Sequence, residues 1–585
     1  MNWIIKSRVP DEFIGSFPEY EAIILRLLYN RGLRDQRAID EFFNPDYKED
    51  LHDPFLMLGM KKAVKRILKA AKNNEYIAIF GDYDADGICS SAILEKTLKL
   101  LGSSHLDVYI PDRAREGYGL NLDAIAELAK RGAKLIISVD CGITDFEEIK
   151  LANSLGMETI IVDHHEIIGK TPNALAVVDP HQEKDKYPFK ELSAAGVTFK
   201  LVQALLEVAR KEKKWEERIK EGWEKWLLDY VAIATVADCC PLIGENRTLV
   251  KYGLVVLAQT NKIGLRELMK TARINPTFDL RSLETNLDSF TLGFILGPRL
   301  NAASRMQHAN IAYQLVVTES EEEAKKLAIE INGKNLERQN LTEKITQELN
   351  DRLSKKEEFP FVIFEGSAEW PVGLIGLVAG RATDRYSRPS IIFSEMENFN
   401  KASARSIPKF DLVEAMKKIG HLFIEFGGHP LAAGFSFKKE NTRAIAIEFE
   451  KMARAALKEE DLSIELEVDS KIGPAEIKFE LFDRLQRFAP FGEGNPRPSF
   501  WLENLEVVAV KNVGNNEKHL KFELKIESLP GKIFKAIGFN QASKNGHIKI
   551  GDKIDIVFEL IVNEWNGSRE LQLKIVDIHK IEANL

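Results

Sequence analysis

Between residues 76 and 168 the chain alternates short apolar runs with amphipathic stretches. EYIAIF, LDVYIP, AKLIISVD and METIIVD are compact apolar runs of strand length. SSAILEKTLKLLG, NLDAIAELAKRG and FEEIKLANSLG space their apolar residues as one face of a helix. Runs of the first kind read as buried strands and those of the second as helices, so the pattern predicts βαβ units and a parallel sheet. In such sheets ligands sit at the carboxyl ends of the strands.

Further along, residues 206–226 (LEVARKEKKWEERIKEGWEKW) predict a charged, solvated helix with one apolar edge. LLDYVAIATVAD again has helical spacing, and residues 319–357 predict a long polar helix with a single apolar stripe. A second α/β unit follows, with FVIFEG, the glycine-rich WPVGLIGLVAGRAT, RPSIIFS and FGGHPLAAGFSF. From about residue 499 short β-rich runs predict a small barrel. The fold class is therefore α/β with a β-barrel at its C-terminal end. The expected divisions are an N-terminal helical segment (1–50), a parallel-sheet domain (51–318), a connecting helix (319–357), a second α/β domain (358–460), and a linker with the barrel (461–585).

At 585 residues the chain exceeds what one hydrophobic core supports, and 44% hydrophobic with 29% charged residues is ordinary globular usage. No apolar run reaches membrane-span length and no export signal opens the chain, so a cytoplasmic protein is expected. Cys89, Cys141, Cys239 and Cys240 lack zinc-site spacing and fit a reducing compartment. All four flank acidic motifs and are expected to be small buried residues packed beneath a site. The net charge of −8 argues against a protein that coats nucleic acid, but bound divalent ions would cancel several carboxylates.

The chemistry concentrates in four motifs. IFGDYDADG carries Asp82, Asp84 and Asp86 between a strand and a helix. A calcium loop would require glutamate at its twelfth position, where Ile93 stands. IISVDCG places Asp140 at a strand end, TIIVDHHE places Asp163, His164 and His165 at another, and ATVADCC places Asp238 after a helical stripe. Each alone has a bland reading as a cap or a core residue. Together they can converge on one sheet edge, and oxygen ligands with one or two imidazoles suit Mn²⁺ or Mg²⁺. Carboxylates bridging two such ions fit displacement at phosphorus by an activated water.

D-x-D-A-D-G, V-D-C-G-I, V-D-H-H and V-A-D, in this order, resemble the motifs of the DHH phosphoesterase superfamily. GGHPLAAG resembles the signature of the DHHA1 domain. PDRAREGYGL, LGPRLNAASRM, KASARS, PFGEGNPRP and NEWNGSRELQLKIVD narrow the resemblance to the RecJ family of single-strand-specific 5′→3′ DNA exonucleases, from about residue 50 onward. It implies two divalent ions, Mn²⁺ or Mg²⁺, held by Asp84, Asp86, Asp140, His164 and Asp238, with Asp82 as a further contributor. It implies catalytic roles for Asp140, for His165 at the scissile phosphate and for Asp163 as the group that orients a histidine. Arg113, Arg299, Asn301, Arg305, Gly428 and His429 are expected to meet DNA, and Ser403 and Arg405 with Arg113 to hold its 5′-terminal phosphate. Tyr118 is a candidate wedge or stacking residue, and Phe522, Phe534 and Trp565 are candidate platforms in the barrel, where aromatics otherwise build core. The resemblance further implies an OB-like barrel, a single strand with a 5′ end as substrate, a helicase and a single-strand-binding protein as partners, and a monomer. Residues 511–553 hold nine lysines against four acids, a positive strip in an acidic protein. Cys239–Cys240 departs from the small apolar residues usual at that place. Alternatives are a phosphodiesterase of short oligonucleotides, whose members are generally shorter and lack a barrel, and a non-catalytic replication scaffold, whose ligand positions would have decayed.

Overall fold

The computed structural model describes residues 2–113, 115–167, 169–279, 284–306, 309–463, 465–565 and 568–581, without the side chains of Asn515, Trp565 and Ser568. Two compact units result, residues 47–463 and residues 1–46 with 464–585. In the larger unit β1 (Ile77–Gly81), β2 (Leu106–Tyr109), β3 (Leu135–Val139), β4 (Glu158–Val162) and β5 (Ala176–Val178) form a wholly parallel sheet in the order β2-β1-β3-β4-β5. Helices α1 (Ala85–Leu100), α2 (Leu122–Lys130) and α3 (Phe146–Ser154) make the crossovers. Strands covered on both faces must be apolar throughout, and β1 and β3 are buried at every residue.

The register aligns Gly81, Val139, Val162 and Val178 across four strands. The next residue in each is an aspartate: Asp82, Asp140, Asp163 and Asp179. Their backbones extend the ladder, with N–H groups of Asp82, Asp140 and Asp163 donating to Val139, Val162 and Val178 carbonyls at 3.3, 3.0 and 3.1 Å. The chain leaves β1 toward β2 and returns to β3 on the other side, so this acidic row lies at the point where strand order reverses.

α4 (Ala194–Ala209) ends before the tryptophan-rich stretch, which is not the solvated helix expected at 206–226. Residues 210–222 form turns, and Trp215 is 1% exposed with its indole N–H donating to the Leu101 carbonyl at 2.8 Å. The charged neighbours cover an anchored ring: Lys72 and Lys214 lie over its face. α5 (Leu228–Ala237) packs against α1 and stops at Asp238. After α6 (Gly297–Met306), α7 (Glu321–Leu353) runs 33 residues. Ser320 caps it, three glutamates fill its first turn, and Ala324, Leu327, Ala328 and Ile331 begin the buried stripe.

The second sheet contains β6 (Ile363–Ser367), β7 (Ser390–Glu395), β8 (Asn400–Arg405), β9 (Phe423–His429) and β10 (Ala432–Phe437), with α8 (Val372–Tyr386) joining β6 to β7. Its order is β9-β10-β8-β7-β6, and only β6–β7 is parallel.

In the smaller unit β11 (Ser499–Val513), β12 (His519–Ile526), β13 (Ile533–Gly538), β14 (Lys553–Trp565) and β15 (Ser568–Lys580) close a barrel, the seam being a short parallel pairing of Ala536–Ile537 with Leu573–Lys574. Phe522 and Phe534 are 0% and 4% exposed, so both are barrel core and not stacking platforms. The side chain of Trp565 lies outside the described residues. Of the nine lysines in 511–553, Lys525, Lys535 and Lys544 are ion-paired, which reduces the positive strip below what counting suggests. The N-terminal segment joins this core: Phe42 and Phe43 meet Phe488 edge-on at 5.6 and 5.2 Å, and Asn2–Ile5 pairs in parallel with Glu465–Val468.

Candidate metal centre

The turn from β1 into α1 positions three carboxylates. Asp84 caps α1, its Oδ1 accepting from the N–H groups of Asp86 and Gly87 at 2.9 and 3.2 Å. Asp86, in the first helical turn, accepts from the N–H groups of Ala194 and Ala195 at 2.8 and 2.7 Å, so the N-terminus of α4 fixes it. Gly87 is required sterically, because a Cβ there would stand 2.5 Å from the Asp82 carbonyl. Asn301 ties α6 to the same turn by accepting from the Ala85 N–H at 2.7 Å.

From β3 comes Asp140, held at φ +64, a left-handed conformation that costs a non-glycine residue about 1 kcal/mol or more and persists where the surroundings impose it. From β4 comes His164, whose Nε2 lies 3.4 Å from Asp140, 3.6 Å from Asp238 and 3.9 Å from Asp86. Asp163 is turned away from this group. Its Oδ1 accepts from the His164 N–H at 2.8 Å and from His165 Nδ1 at 2.7 Å, and its Oδ2 accepts from the Ile143 N–H at 3.3 Å. That engages Nδ1 of His165 and leaves Nε2 as its outward atom. The Tyr118 hydroxyl donates to the Asp140 carbonyl at 3.1 Å and lies 3.3 Å from His165, so this half-exposed ring supports His165 as well as lining the opening.

A cavity of about 230 Å³ is lined by Asp82, Tyr83, Asp84, Arg113, Tyr118, Asp140, His165, Asp238, Asn301 and Arg305. Three donor groups have atoms within 4.8 Å of one another: Asp82–Asp84–Asp140, Asp140–His164–His165 and His164–Asp238–Cys240. Burial and mutual repulsion raise the carboxyl pKa of Asp82, Asp86 and Asp140, and that of Asp238 to about 7. Burial and the neighbouring His165 lower His164 to about 4, leaving it a neutral imidazole able to ligate. Burial lowers His165 too, but the Asp163 hydrogen bond and charge outweigh it and carry it up to about 9. Asp82 Oδ1 is buried without a hydrogen-bond partner. Crowded carboxylates, a neutral imidazole and an orphaned buried oxygen fit one or more hard divalent cations.

Opposite the acids stand arginines. Arg305 is partly buried, its pKa pushed down to about 10 by desolvation and by Arg113 and Arg338, while desolvation and Arg113 lower Arg405. Among the described residues no carboxylate pairs with Arg113, Arg305 or Arg405. Arg405 Nη1 reaches Ser403 Oγ at 3.3 Å, and a Cβ on Gly376 would stand 3.0 Å from that oxygen. The missing Cβ opens the first turns of α8 to this pair. Arg299 is engaged elsewhere, donating to the Ile295 carbonyl at 2.7 Å and to Asn332 at 3.1 Å, and it does not line the cavity. Gly428 and His429 lie on the exposed edge strand β9, and neither lines the cavity. Asp179, the fourth acid of the strand-end row, had no place in the sequence reading, and Cys240 entered it only as a small buried residue, not as a member of a donor group. Three residues of β5 gave too short an apolar run to single out the first. Cys89, Cys141 and Cys240 are buried, but Cys239 is exposed, contrary to expectation.

Family models match residues 76–235 (DHH family, N-terminal domain), 359–455 (DHHA1 domain) and 468–577 (RecJ OB domain). The single-stranded-DNA-specific exonuclease RecJ of Bacillus subtilis is 38% identical over 95% of this chain and 67% of its own length. That of Escherichia coli is 30% identical over 99% of each. The chain belongs to the RecJ family. A crystal structure of RecJ from Thermus thermophilus in complex with Mn²⁺ superposes with TM-score 0.82 at 27% identity, covering 100% of this chain and 80% of that one. The chain thus carries a DHH domain, a DHHA1 domain and a RecJ OB domain in that order.

The raised carboxyl groups have a consequence for stability. A carboxyl whose folded pKa exceeds its unfolded value stabilises the fold below the unfolded pKa, and that contribution is lost as pH rises through the folded value, near 7 for Asp238. Metal-stripped protein is therefore expected to melt lower at pH 8 than at pH 6. Mn²⁺ at about 100 times its Kd adds about 2.7 kcal/mol, and its effect should grow with pH as protons stop competing. Thermal melts with EDTA or Mn²⁺ across that range check this, and a pH-independent Mn²⁺ increment would contradict it.

Proposed function

We propose that this RecJ-family chain is a metal-dependent exonuclease that hydrolyses single-stranded DNA from its 5′ end, releasing 5′-mononucleotides. The observation that carries the reading is the acidic row at the sheet edge sharing one small cavity with Arg113 and Arg305, which among the described residues pair with no carboxylate. Asp84, Asp86, Asp140, His164 and Asp238, with Asp82, would hold two Mn²⁺ or Mg²⁺ ions. Bound ions supply an activated water and neutralise charge on the leaving oxygen.

The protein's own groups do the rest. Asp163 fixes the His165 ring so that its protonated Nε2 can donate to a phosphate oxygen. Arg113, Arg405 and Ser403 at the start of α8 would take the terminal phosphate, since guanidinium forks match phosphate geometry and a helix N-terminus favours anions. Arg305 and Asn301 support the strand beside the cut, and Gly428 and His429 on β9 would follow its backbone. Arg299 acts on this reading by holding its own helix in place. A pocket for the terminal phosphate accounts for both the need for an end and the direction of travel. The barrel lysines would grip the trailing strand. A helicase that exposes single strands and a single-strand-binding protein are the partners this activity calls for, with a monomer acting in the cytoplasm. No helix of the described residues is long and apolar enough to cross a membrane.

The test is digestion, with Mn²⁺, of single strands labelled at either end. Mononucleotides should appear first from the 5′ label, with blunt duplex resisting. Early release from the 3′ label would overturn the polarity, and equal digestion of duplex the strand preference.

A further inference from the structure

The chain turns sharply at Cys239, whose φ is +58. Cys239 and Cys240 donate their N–H groups to the carbonyls of Val236 and Thr235 at 3.3 and 3.0 Å, which closes the end of α5. The turn separates the adjacent thiols: Cys239 faces solvent while Cys240 is buried under the metal centre. Cys240 Sγ lies 3.6 Å from Asp238 Oδ2, and that same oxygen lies 3.6 Å from His164 Nε2. Tetrahedral Zn²⁺, with bonds of about 2.0–2.3 Å, places its donors roughly 3.3–3.8 Å apart. The sulfur and the nitrogen therefore each stand at zinc-ligand spacing from the shared oxygen, and all three donor atoms lie within 4.8 Å of one another. The neighbouring group, Asp82–Asp84–Asp140, is all oxygen and has no such softness.

We propose that Cys240, with His164 and Asp238, makes one half of the centre a thiophilic site, so that Zn²⁺ displaces the hard ion there and inhibits hydrolysis. On binding, the thiol proton passes to solvent as the S–Zn bond forms, with no change of oxidation state. Zn²⁺ outranks Mn²⁺ for any mixed donor set, and a thiolate widens that margin. A tetrahedral ion held by three protein donors keeps one open position where a six-coordinate ion keeps three, so it could not hold both a water and a phosphate oxygen. The inference rests on the metal-centre reading given above.

The experiment uses the full, metal-stripped chain titrated with Co²⁺ as an optical stand-in for Zn²⁺. A thiolate-to-cobalt charge-transfer band in the near ultraviolet is expected for the unsubstituted protein and for Cys239→Ser. It should be absent from Cys240→Ser and Cys240→Ala. In parallel, with Mn²⁺ fixed, the Zn²⁺ concentration that halves each protein's own Mn²⁺-supported rate should rise at least ~10-fold on loss of the Cys240 thiol. A band that survives in both Cys240 variants, or that disappears with Cys239 instead, overturns the proposal. The optical readout needs no nucleic acid, so a failed nuclease reading would leave it standing. Normal strand digestion without the band would sink the thiol site alone.

Discussion

Alanine in place of Asp140 is expected to reduce hydrolysis of single strands by at least ~10³-fold, beyond the 10–100-fold that partners outside the ligand shell typically cost. The reason is positional. Asp140, like His164, belongs to two of the donor groups, so its loss would weaken both, whereas Asp84 or Asp238 contributes to one. Calorimetric titration with Mn²⁺ should show weakened binding at both. His165→Ala makes the contrast, losing about 10²–10³-fold in kcat, as removal of a donor to developing charge does, with Mn²⁺ binding retained. Asp140→Gly relieves the left-handed backbone yet should be as inactive as the alanine variant, which separates ligand loss from strain. Wild-type rates in Asp140→Ala would place the chemistry elsewhere.

The second large effect concerns the strand's end. Arg405→Ala should raise KM for 5′-phosphorylated strands about 10–100-fold, the equivalent of one hydrogen bond to a charged group at ~1.5–3 kcal/mol. Strands with a 5′-hydroxyl should be nearly unaffected, so the ratio of the two kcat/KM values collapses toward one. Arg299→Ala should leave that ratio intact and lower the melting temperature, because its guanidinium is committed to the Ile295 carbonyl and Asn332. An unchanged end preference in Arg405→Ala would remove this residue from the pocket.

The acidic row was legible because buried parallel strands are apolar to their last residue, so the first acid afterward marks the sheet edge. That logic found Asp82, Asp140 and Asp163, and failed for Asp179, which follows a strand of three residues. The long helix was equally plain from its length and its single apolar stripe. Side-chain direction was not legible. Nothing in the spacing distinguishes Arg299, folded back on its helix, from Arg305, which lines the cavity. The same limit applies to Trp215, where a dense run of charge hid an anchored indole. Adjacent cysteines looked equivalent until the turn at Cys239 sent one outward and one inward.

The N-terminal segment shows the limit most clearly, since its helical pattern says nothing of a destination more than 400 residues away. Phe42 and Phe43 find their partner in Phe488, and Asn2–Ile5 finds its neighbouring strand at Glu465–Val468. On the ribosome the first 46 residues therefore emerge without the surface they are built to cover. Their apolar side chains must wait while the intervening catalytic body is synthesised, at about 5–20 residues per second. Residues 1–46 thus reach their packing partners only once residues 464–585 have been made.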